Sequence, residues 1–220
     1  GWEPCTIADV KAYRPESRSL GSGQVLRTPY SFEDAGLVMR EMAEALALQL
    51  FDKSLLTDKL TITVGYDVSN MSDAKHVYRG PVETDRYGRR LPKSAHGTVN
   101  LGQPTSSGSL IAGAAREWFD KHVDKRLLIR RLNITAERLA VETGAEISQT
   151  AEQLDLLTDY DAVEQSRAAE KERLERERRV QRAVVDIKKK FGNNAIHKAS
   201  GLKEPSTVRE RGDMIGGHKA

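Results

Sequence analysis

The sequence predicts an α+β fold: a four-stranded antiparallel-type sheet with two helices on one face, followed by an extended acidic linker and a long charged helix. Four segments between residues 24 and 136 have the alternation or short apolar runs of strands, and two more repeat apolar residues at helical spacing. Their order is β-α-β-β-α-β. Beyond residue 140 the charge pattern changes abruptly, which marks the end of this domain.

The chain begins with a segment of low secondary-structure potential. Pro4 and Pro15 interrupt alternating charges over residues 1–19, so we expect an extended lead-in there. A short first strand is expected at Gln24–Leu26, and Pro29 is expected to end it.

The first helix has a start signal and a buried stripe. Ser31 is followed three residues later by Asp34, which resembles a capping box, and we expect a helix from there to about Lys53. The apolar residues that repeat along it give the helix one face to bury. They are Leu37, Val38, Met42, Ala45, Leu46 and Leu50.

Strict alternation from Leu60 to Tyr66 predicts a half-buried strand, and residues 96–102 predict a second, shorter one. Between them lies a polar loop, residues 68–93, with tight-turn signals at Gly80-Pro81 and Tyr87-Gly88. The cations of this loop are Lys75, Arg79, Arg86, Arg89, Arg90 and Lys93.

The second helix is expected from Leu110 to Val123, after several possible N-caps, and a last strand from Leu127 to Ala136. Two helices with one apolar stripe each cover only one face of a sheet, so the other face stays open. Such a face is either simply solvated or available to a polyanion. Its predicted residues are Thr61, Thr63, Thr98, Asn100, Arg131, Asn133 and Thr135.

Charge divides the chain into regions. The net charge is +3, yet residues 141–165 hold no lysine or arginine and seven acids, and residues 166–220 have a net charge of +7. We therefore expect a lead-in at 1–19, a folded domain at 20–140, an acidic linker at 141–165 and a basic helical tail at 166–220. A charged helix is expected at about 160–191, packing through Val180, Val184, Ile187 and Phe191, with Gly192 ending it and a mobile segment closing the chain.

Signatures of catalysis and membrane insertion are missing. No P-loop, nucleophile elbow or Cys-x-x-Cys pair is present, and no apolar run approaches the ~18 residues of a membrane span. Cys5 is the only cysteine, which fits a reducing compartment. We expect no catalytic residue, metal or cofactor in this chain. The histidines, without metal-ligand spacing, are His76, His96, His122, His197 and His218.

Four stretches carry a resemblance to a known family. The sequence "SRSLGSGQVLRTPYSFEDAGLVMREMAEALALQLFDKSLLTDKLTITVGYD", with "HGTVNLGQPTSS", closely resembles the little-finger domain of Y-family DNA polymerases of the bacterial UmuC/DinB class (ImpB/MucB/SamB family). The opening "GWEPCTIADVKAY" is similar to the segment that leaves the thumb of those enzymes, and "DIKKKFGNNAIHKA" is similar to the basic tail after the finger. The resemblance spans nearly the whole chain.

The resemblance implies a DNA-gripping part of a translesion polymerase involved in DNA repair, with no synthesis of its own. The catalytic carboxylates and Mg²⁺ would belong to the palm, fingers and thumb of a longer parent chain in the bacterial cytoplasm. Phosphate contacts would be independent of sequence and weakened by salt. The loop 68–93 is longer than expected in the family. By position, the implied DNA-binding residues are Ser17, Arg18, Ser19, Gly21, Ser22, Thr105, Ser106, Ser107, Arg130 and Arg131.

The acidic segment contains three leucines, which a solvated linker does not need. The peptide Gln153-Leu154-Asp155-Leu156-Leu157 resembles the pentapeptide by which bacterial polymerases bind the sliding clamp, with Leu157 in place of the more usual phenylalanine. Such peptides insert a glutamine and two apolar anchors into a preformed groove. The alternative is that these leucines dock on the protein's own domain.

Two other functions are compatible with the sequence. The chain could be a non-catalytic adaptor that holds protein partners through QLDLL and the long helix, and salt-dependent DNA affinity would distinguish the two. An RNA-binding sheet is a third option, but the predicted open face lacks the aromatic residues that base stacking requires.

Overall fold

The computed structural model describes residues 5–13, 18–72, 78–142, 160–215 and 218–219; Ser17 and the pentapeptide 153–157 lie outside the described residues. The predicted α+β class is confirmed. In chain order the helices and strands are α1 (Ile7–Ala12), β1 (Leu20–Tyr30), α2 (Phe32–Asp52), β2 (Leu55–Tyr66), β3 (Val82–Thr84), β4 (Arg90–Pro92), β5 (Ala95–Thr105), α3 (Gly108–His122), β6 (Ile129–Glu137), β7 (Ala140–Val141), α4 (Tyr160–Phe191), α5 (Val208–Gly212), β8 (Met214–Ile215) and β9 (His218–Lys219).

The main sheet is antiparallel throughout, with strand order β1-β6-β2-β5. Among the long elements the chain order is the predicted β-α-β-β-α-β. The structure adds β7, which pairs with the first two residues of β2 and extends the sheet by a short fifth strand. Strand β2 lies between β6 and β5, and this central position explains why its alternation is so regular.

Strand β1 is longer than predicted, at 11 residues instead of three, and it contains Pro29. Proline has no N–H group to donate, but β1 is an edge strand, where one side of the backbone needs no partner. Its pairing with β6 is interrupted between Val25 and Tyr30, which removes the ladder around the proline. The expectation that Pro29 ends the strand was therefore wrong.

The hydrophobic core lies between one face of the sheet and helices α2 and α3. Leu60, Ile62 and Val64 of β2 are fully buried against this layer, as the alternation predicted. The rings of Phe32 and Phe119 join the two helices, with centroids 5.0 Å apart. The fully buried apolar residues of α2 are Ala35, Val38, Met39, Met42, Ala43, Leu46, Ala47 and Leu50.

Both helices begin at the expected caps. The Ser31 hydroxyl accepts a hydrogen bond from the amide of Asp34 at 3.2 Å, and the Ser107 hydroxyl accepts one from the amide of Leu110 at 3.3 Å. Each cap satisfies an amide that has no partner inside the helix. The end of α2 at Asp52, with Lys53 as its C-cap, also agrees with the prediction.

Two segments that were expected to be irregular contain regular structure. The lead-in forms α1, whose first turn is closed by a reciprocal capping box between Thr6 and Asp9. The loop 68–93 contains a 3₁₀ helix at Val68–Met71 and the antiparallel hairpin β3-β4. The Tyr87-Gly88 turn signal lies between these two strands, and Gly88 adopts φ +77°, where glycine is favoured.

Helix α4 has the predicted bounds, and Gly192 follows it with φ +94°. Its packing face was predicted correctly only in part, since Val184 and Ile187 are half-buried but the other two predicted residues are not. Val180 and Phe191 are 57% and 67% exposed, whereas Gln181 and Val185 are buried. Along the described residues, every helix is too short or too polar to cross a membrane.

The segment after α4 packs on the domain, contrary to the expectation of mobility. Thr207 is buried, its amide donates to Glu41 of α2, and its hydroxyl bonds the Gln24 side chain of β1 at 3.0 Å. Polar contacts of this kind leave no periodic apolar signal in the sequence, which is why they were missed.

Candidate nucleic-acid interface

No described helix covers the sheet face that is turned away from α2 and α3. All seven residues predicted to lie there do so, and strand register adds seven more. We call this surface the open face; it consists of Gly21, Gly23, Val25, Lys59, Thr61, Thr63, Gly65, His96, Thr98, Asn100, Arg131, Asn133, Thr135 and Glu137.

The register arranges short polar side chains in rows across the strands. Gly21, Thr135, Thr61 and Thr98 form one row. In the next row the Thr63 hydroxyl lies 2.8 Å from Nδ1 of His96. The glycines on β1 leave the edge without side chains, and a Cβ on Gly21 would lie 2.8 Å from Oγ1 of Thr135. The Thr135 hydroxyl therefore fills the space beside Gly21, which leaves no room there for a side chain on β1.

One end of the open face is electrically balanced. The carboxylate of Glu137 lies 3.0 Å from Nζ of Lys59 and accepts a hydrogen bond of 2.6 Å from the Thr61 hydroxyl. The Thr61 hydrogen bond, followed by the contact with Lys59, holds the pKa of Glu137 below its ordinary value. This end offers little free charge to a ligand.

The opposite end carries a cation, Arg131, that pairs with no described residue. Arg131 is exposed and has no hydrogen-bonding or ion-pair partner among the described residues. It faces Gly65 across the strand pair, where a Cβ would lie 3.2 Å from the Cβ of Arg131. The open face therefore presents an unpaired guanidinium beside a strip of small polar groups.

Arg130 is placed differently from its neighbour. Gly65 pairs with Arg131 and Tyr66 with Ile129, so Arg130 is the extra residue of a β-bulge. Its guanidinium donates a 2.6 Å hydrogen bond to the carbonyl of Arg27. Arg130 joins β6 to β1 in this structure, and its contact with DNA stays a prediction.

The predicted residues at the start of β1 divide between the two sides of the sheet. Arg18 and Ser19 are exposed just before the strand, and Gly21 lies on the open face. Ser22 alternates with Gly21 and turns toward the helices, the side on which Leu26 is buried. Ser17 lies outside the described residues.

Thr105, Ser106 and Ser107, expected to meet phosphate at the start of α3, are buried. The carboxylate of Glu177 occupies this position instead. It accepts hydrogen bonds from the Ser107 hydroxyl at 2.8 Å and from the Ser109 amide and hydroxyl, both at 2.7 Å. Gln181, one turn further along α4, donates to the carbonyl of Ser106 at 3.0 Å.

The helix N-terminus therefore holds an anion, as its free amides favour, but the anion belongs to the protein itself. Burial raises the pKa of Glu177, but the hydrogen bonds from Ser109 and Ser107 outweigh it, so that the pKa lies below the ordinary value. A DNA phosphate would have to displace Glu177 to reach this site, so contact of the three residues with DNA stays a prediction.

The cations of residues 79–93, for which the resemblance leaves a role in DNA contact open, lie on and around the hairpin β3-β4. Its strands place Arg86, Tyr87 and Arg89 at an exposed tip, near Arg131. The turn signal at Tyr87-Gly88 was visible in the sequence, but the position of the tip beside the sheet was not. No cluster of three or more His, Cys, Asp or Glu side chains suited to a metal ion occurs among the described residues.

Comparisons with known proteins bear on these features. The family model for the impB/mucB/samB family C-terminal domain matches residues 17–156. Curated proteins give no match.

Matches among solved structures include the little finger domain of PolIV in complex with the beta-clamp processivity factor, at 10% identity and a TM-score of 0.35, over 64% of this chain and 100% of that chain. Two complexes of Dbh DNA polymerase, post-insertion binary and insertion ternary, each have 10% identity and a TM-score of 0.34. They cover 61% and 60% of this chain, which spans about a third of the length of those polymerase chains.

Proposed function

The chain belongs to the impB/mucB/samB family, whose C-terminal domain it carries, and from this premise we propose that it is the DNA-gripping part of a Y-family translesion polymerase. The proposal assigns nucleotide addition, with its Mg²⁺, to other parts of a polymerase in the bacterial cytoplasm. It gives this chain the tasks of holding template-primer DNA and tethering the enzyme to the sliding clamp.

The open face carries the proposal for DNA. Small threonine, asparagine and glycine residues let a sugar-phosphate backbone approach, and the exposed Arg131 supplies a cation that forms no ion pair with a described residue. Contacts with phosphate carry no sequence information, which suits an enzyme that must hold damaged and undamaged templates alike. Arg18, Ser19 and Gly21 extend the proposed contact along β1.

Fluorescence anisotropy of a labelled primer-template tests this assignment. We expect binding that weakens steeply between about 50 mM and about 200 mM salt. Arg131→Ala should weaken binding about tenfold, because it removes a charge-assisted phosphate contact, and should lower the slope of log affinity against log salt by about one. Gly23→Asp should weaken binding too, since it places a negative charge on the open face.

Arg40→Ala is the matched control, because Arg40 is an exposed cation on α2, on the covered side of the sheet. It should leave DNA affinity unchanged. A chain that ignores DNA at low salt, yet binds a protein partner, would overturn the DNA proposal and favour the adaptor alternative.

The pentapeptide Gln153–Leu157 is proposed to bind the bacterial sliding clamp. Its support is the sequence alone: a glutamine and apolar anchors in an acidic segment that follows a DNA-binding domain. Surface plasmon resonance with purified clamp should give binding that is lost when Leu154, Leu156 and Leu157 are replaced by alanine. Ile147→Ala, in the same acidic segment, should bind normally, and equal loss in both variants would contradict the assignment.

A further inference from the structure

The hairpin β3-β4 is attached firmly beside the open face. Lys93 donates its amide to the carbonyl of Pro81 at 2.8 Å, which closes the base of the hairpin. Ser94, just before β5, donates its hydroxyl to the carboxylate of Glu83 at 2.6 Å. The hairpin therefore has a defined position relative to the sheet.

A single carboxylate organises the tip. Asp85 accepts hydrogen bonds from the amides of Tyr87 and Arg89, both at 2.9 Å, and from Nε of Arg89 at 2.8 Å. Gly88 donates its amide to the carbonyl of Asp85 at 2.9 Å. This network pairs the negative charge of Asp85 with Arg89 and holds Arg86 and Tyr87, the two residues between Asp85 and Gly88, in place.

The tip presents an aromatic ring together with cations. Tyr87 is 67% exposed, although large aromatic side chains are usually buried. The guanidinium carbons of Arg86 and Arg89 lie 4.9 Å and 5.3 Å from its ring centroid. Arg86 also donates a 2.7 Å hydrogen bond to the Tyr87 hydroxyl.

The tip and the open face share a cleft of about 390 Å³, lined by Glu83, Asp85, Arg86, Tyr87 and Arg131. A volume of this size falls within the range of about 300–1,000 Å³ for ligand sites. Arg131, which has no hydrogen-bonding or ion-pair partner among the described residues, and the exposed ring of Tyr87 therefore line the same cleft.

We propose that this cleft takes an unpaired base of a DNA strand, stacked on Tyr87, while Arg86 and Arg131 bind the adjoining phosphates. This inference rests on the proposed function and deepens it. Paired bases in a duplex are stacked on one another and present only their edges, so a ring at the tip finds a free base face only on an unpaired nucleotide. Guanidinium groups beside the ring favour the accompanying polyanion.

The test compares a blunt duplex with the same duplex carrying a single-stranded template overhang of about ten nucleotides, within the site sizes of single-strand binders. Wild type should bind the overhang DNA more tightly. Tyr87→Ala should weaken binding to the overhang DNA by about tenfold and to the blunt duplex by less than about twofold. Tyr87→Phe keeps the ring and should behave like wild type.

A fluorescent base analogue at the first unpaired template position gives a direct readout. Its emission should change on binding of wild type and Tyr87→Phe, but not of Tyr87→Ala, and equal melting temperatures of the three proteins would exclude misfolding. If Tyr87→Ala weakened binding to both DNAs equally, or to neither, the assignment of an unpaired base to the cleft would be wrong. The proposed DNA-binding function would still stand in that case, provided that Arg131→Ala weakened binding to the duplex. Absence of binding to both DNAs would overturn the proposed function as well.

Discussion

At the scale of single residues, close packing against Trp118 explains why position 97, inside β5, is a glycine. A Cβ at this position would lie 2.8 Å from Nε1 of Trp118, whose side chain is buried between α3 and the sheet. We expect Gly97→Ala to destabilise the protein by about 1–3 kcal/mol, because Trp118 must shift in a packed core. Thermal unfolding measures the loss.

Gly113→Ala provides the matched control for that change. Gly113 lies inside α3, and a Cβ there meets no atom within 4 Å. Alanine favours a helix over glycine by about 0.8–1 kcal/mol, so this variant should be stabilised. Destabilisation of both variants would show that close contact with Trp118 is not the reason for glycine at position 97.

Alternation was sufficient to predict which residues lie on the open face, because β2 is central and pairs regularly with β5 and β6. It was not sufficient for Arg130, since a bulge inserts this residue between two regular pairs. The side to which Ser22 turns depends on where β1 begins, at Leu20, whereas the apolar run in the sequence begins only at Gln24. The alternation of polar and apolar residues predicts which way side chains point only where the hydrogen bonding between the strands is regular.

At the scale of elements, α4 was predicted from its charge pattern, but its packing face was predicted only in part. Apolar spacing indicated a face with Val180 and Phe191, while the helix docks through Glu177, Gln181 and Val185. Glutamate and glutamine at a contact surface look like solvated residues in a sequence. Only the position of the α3 N-terminus, with its free amides, shows why a carboxylate is favoured there.

Glu177→Gln tests this docking. Loss of the negative charge at the start of α3 should lower the hydrogen-exchange protection of the Ser109 amide about fivefold at pH 7, or ~1 kcal/mol. The folded-state pKa of Glu177 lies below its ordinary value of 4.5, so its contribution is present above pH 4.5 and is lost as pH falls through the folded pKa. Wild type and variant should therefore converge in acid.

Glu175→Gln serves as the control for α4, because Glu175 lies on the exposed side of the same helix. It should leave the protection of Ser109 unchanged at every pH. A constant difference between wild type and Glu177→Gln down to acid pH would contradict a role for the carboxylate charge.

At the scale of the whole molecule, the sheet separates two polar surfaces. The open face lies on one side, while α2, α3 and the segment after α4 lie on the other. The contact between α2 and that segment is a buried charged pair, since Arg211 lies 3.7 Å from Glu41, which also accepts a 2.6 Å hydrogen bond from the Ser206 hydroxyl. Burial raises the pKa of Glu41 and lowers that of Arg211, so each charge depends on the other.

Glu41→Ala should release the C-terminal segment without changing DNA affinity. Removing one partner leaves Arg211 buried without a counter-charge, which typically costs about 3–5 kcal/mol, and undocking of α5 relieves this cost. Trypsin should then cut faster at Arg209 and Arg211. Glu44→Ala, which removes only partly exposed ion pairs with Arg40 and Lys198, should digest as wild type does. If Glu41→Ala also changed the salt-dependent binding to primer-template DNA, the basic tail would contribute to DNA binding. The open face and the C-terminal segment would then not be functionally separate.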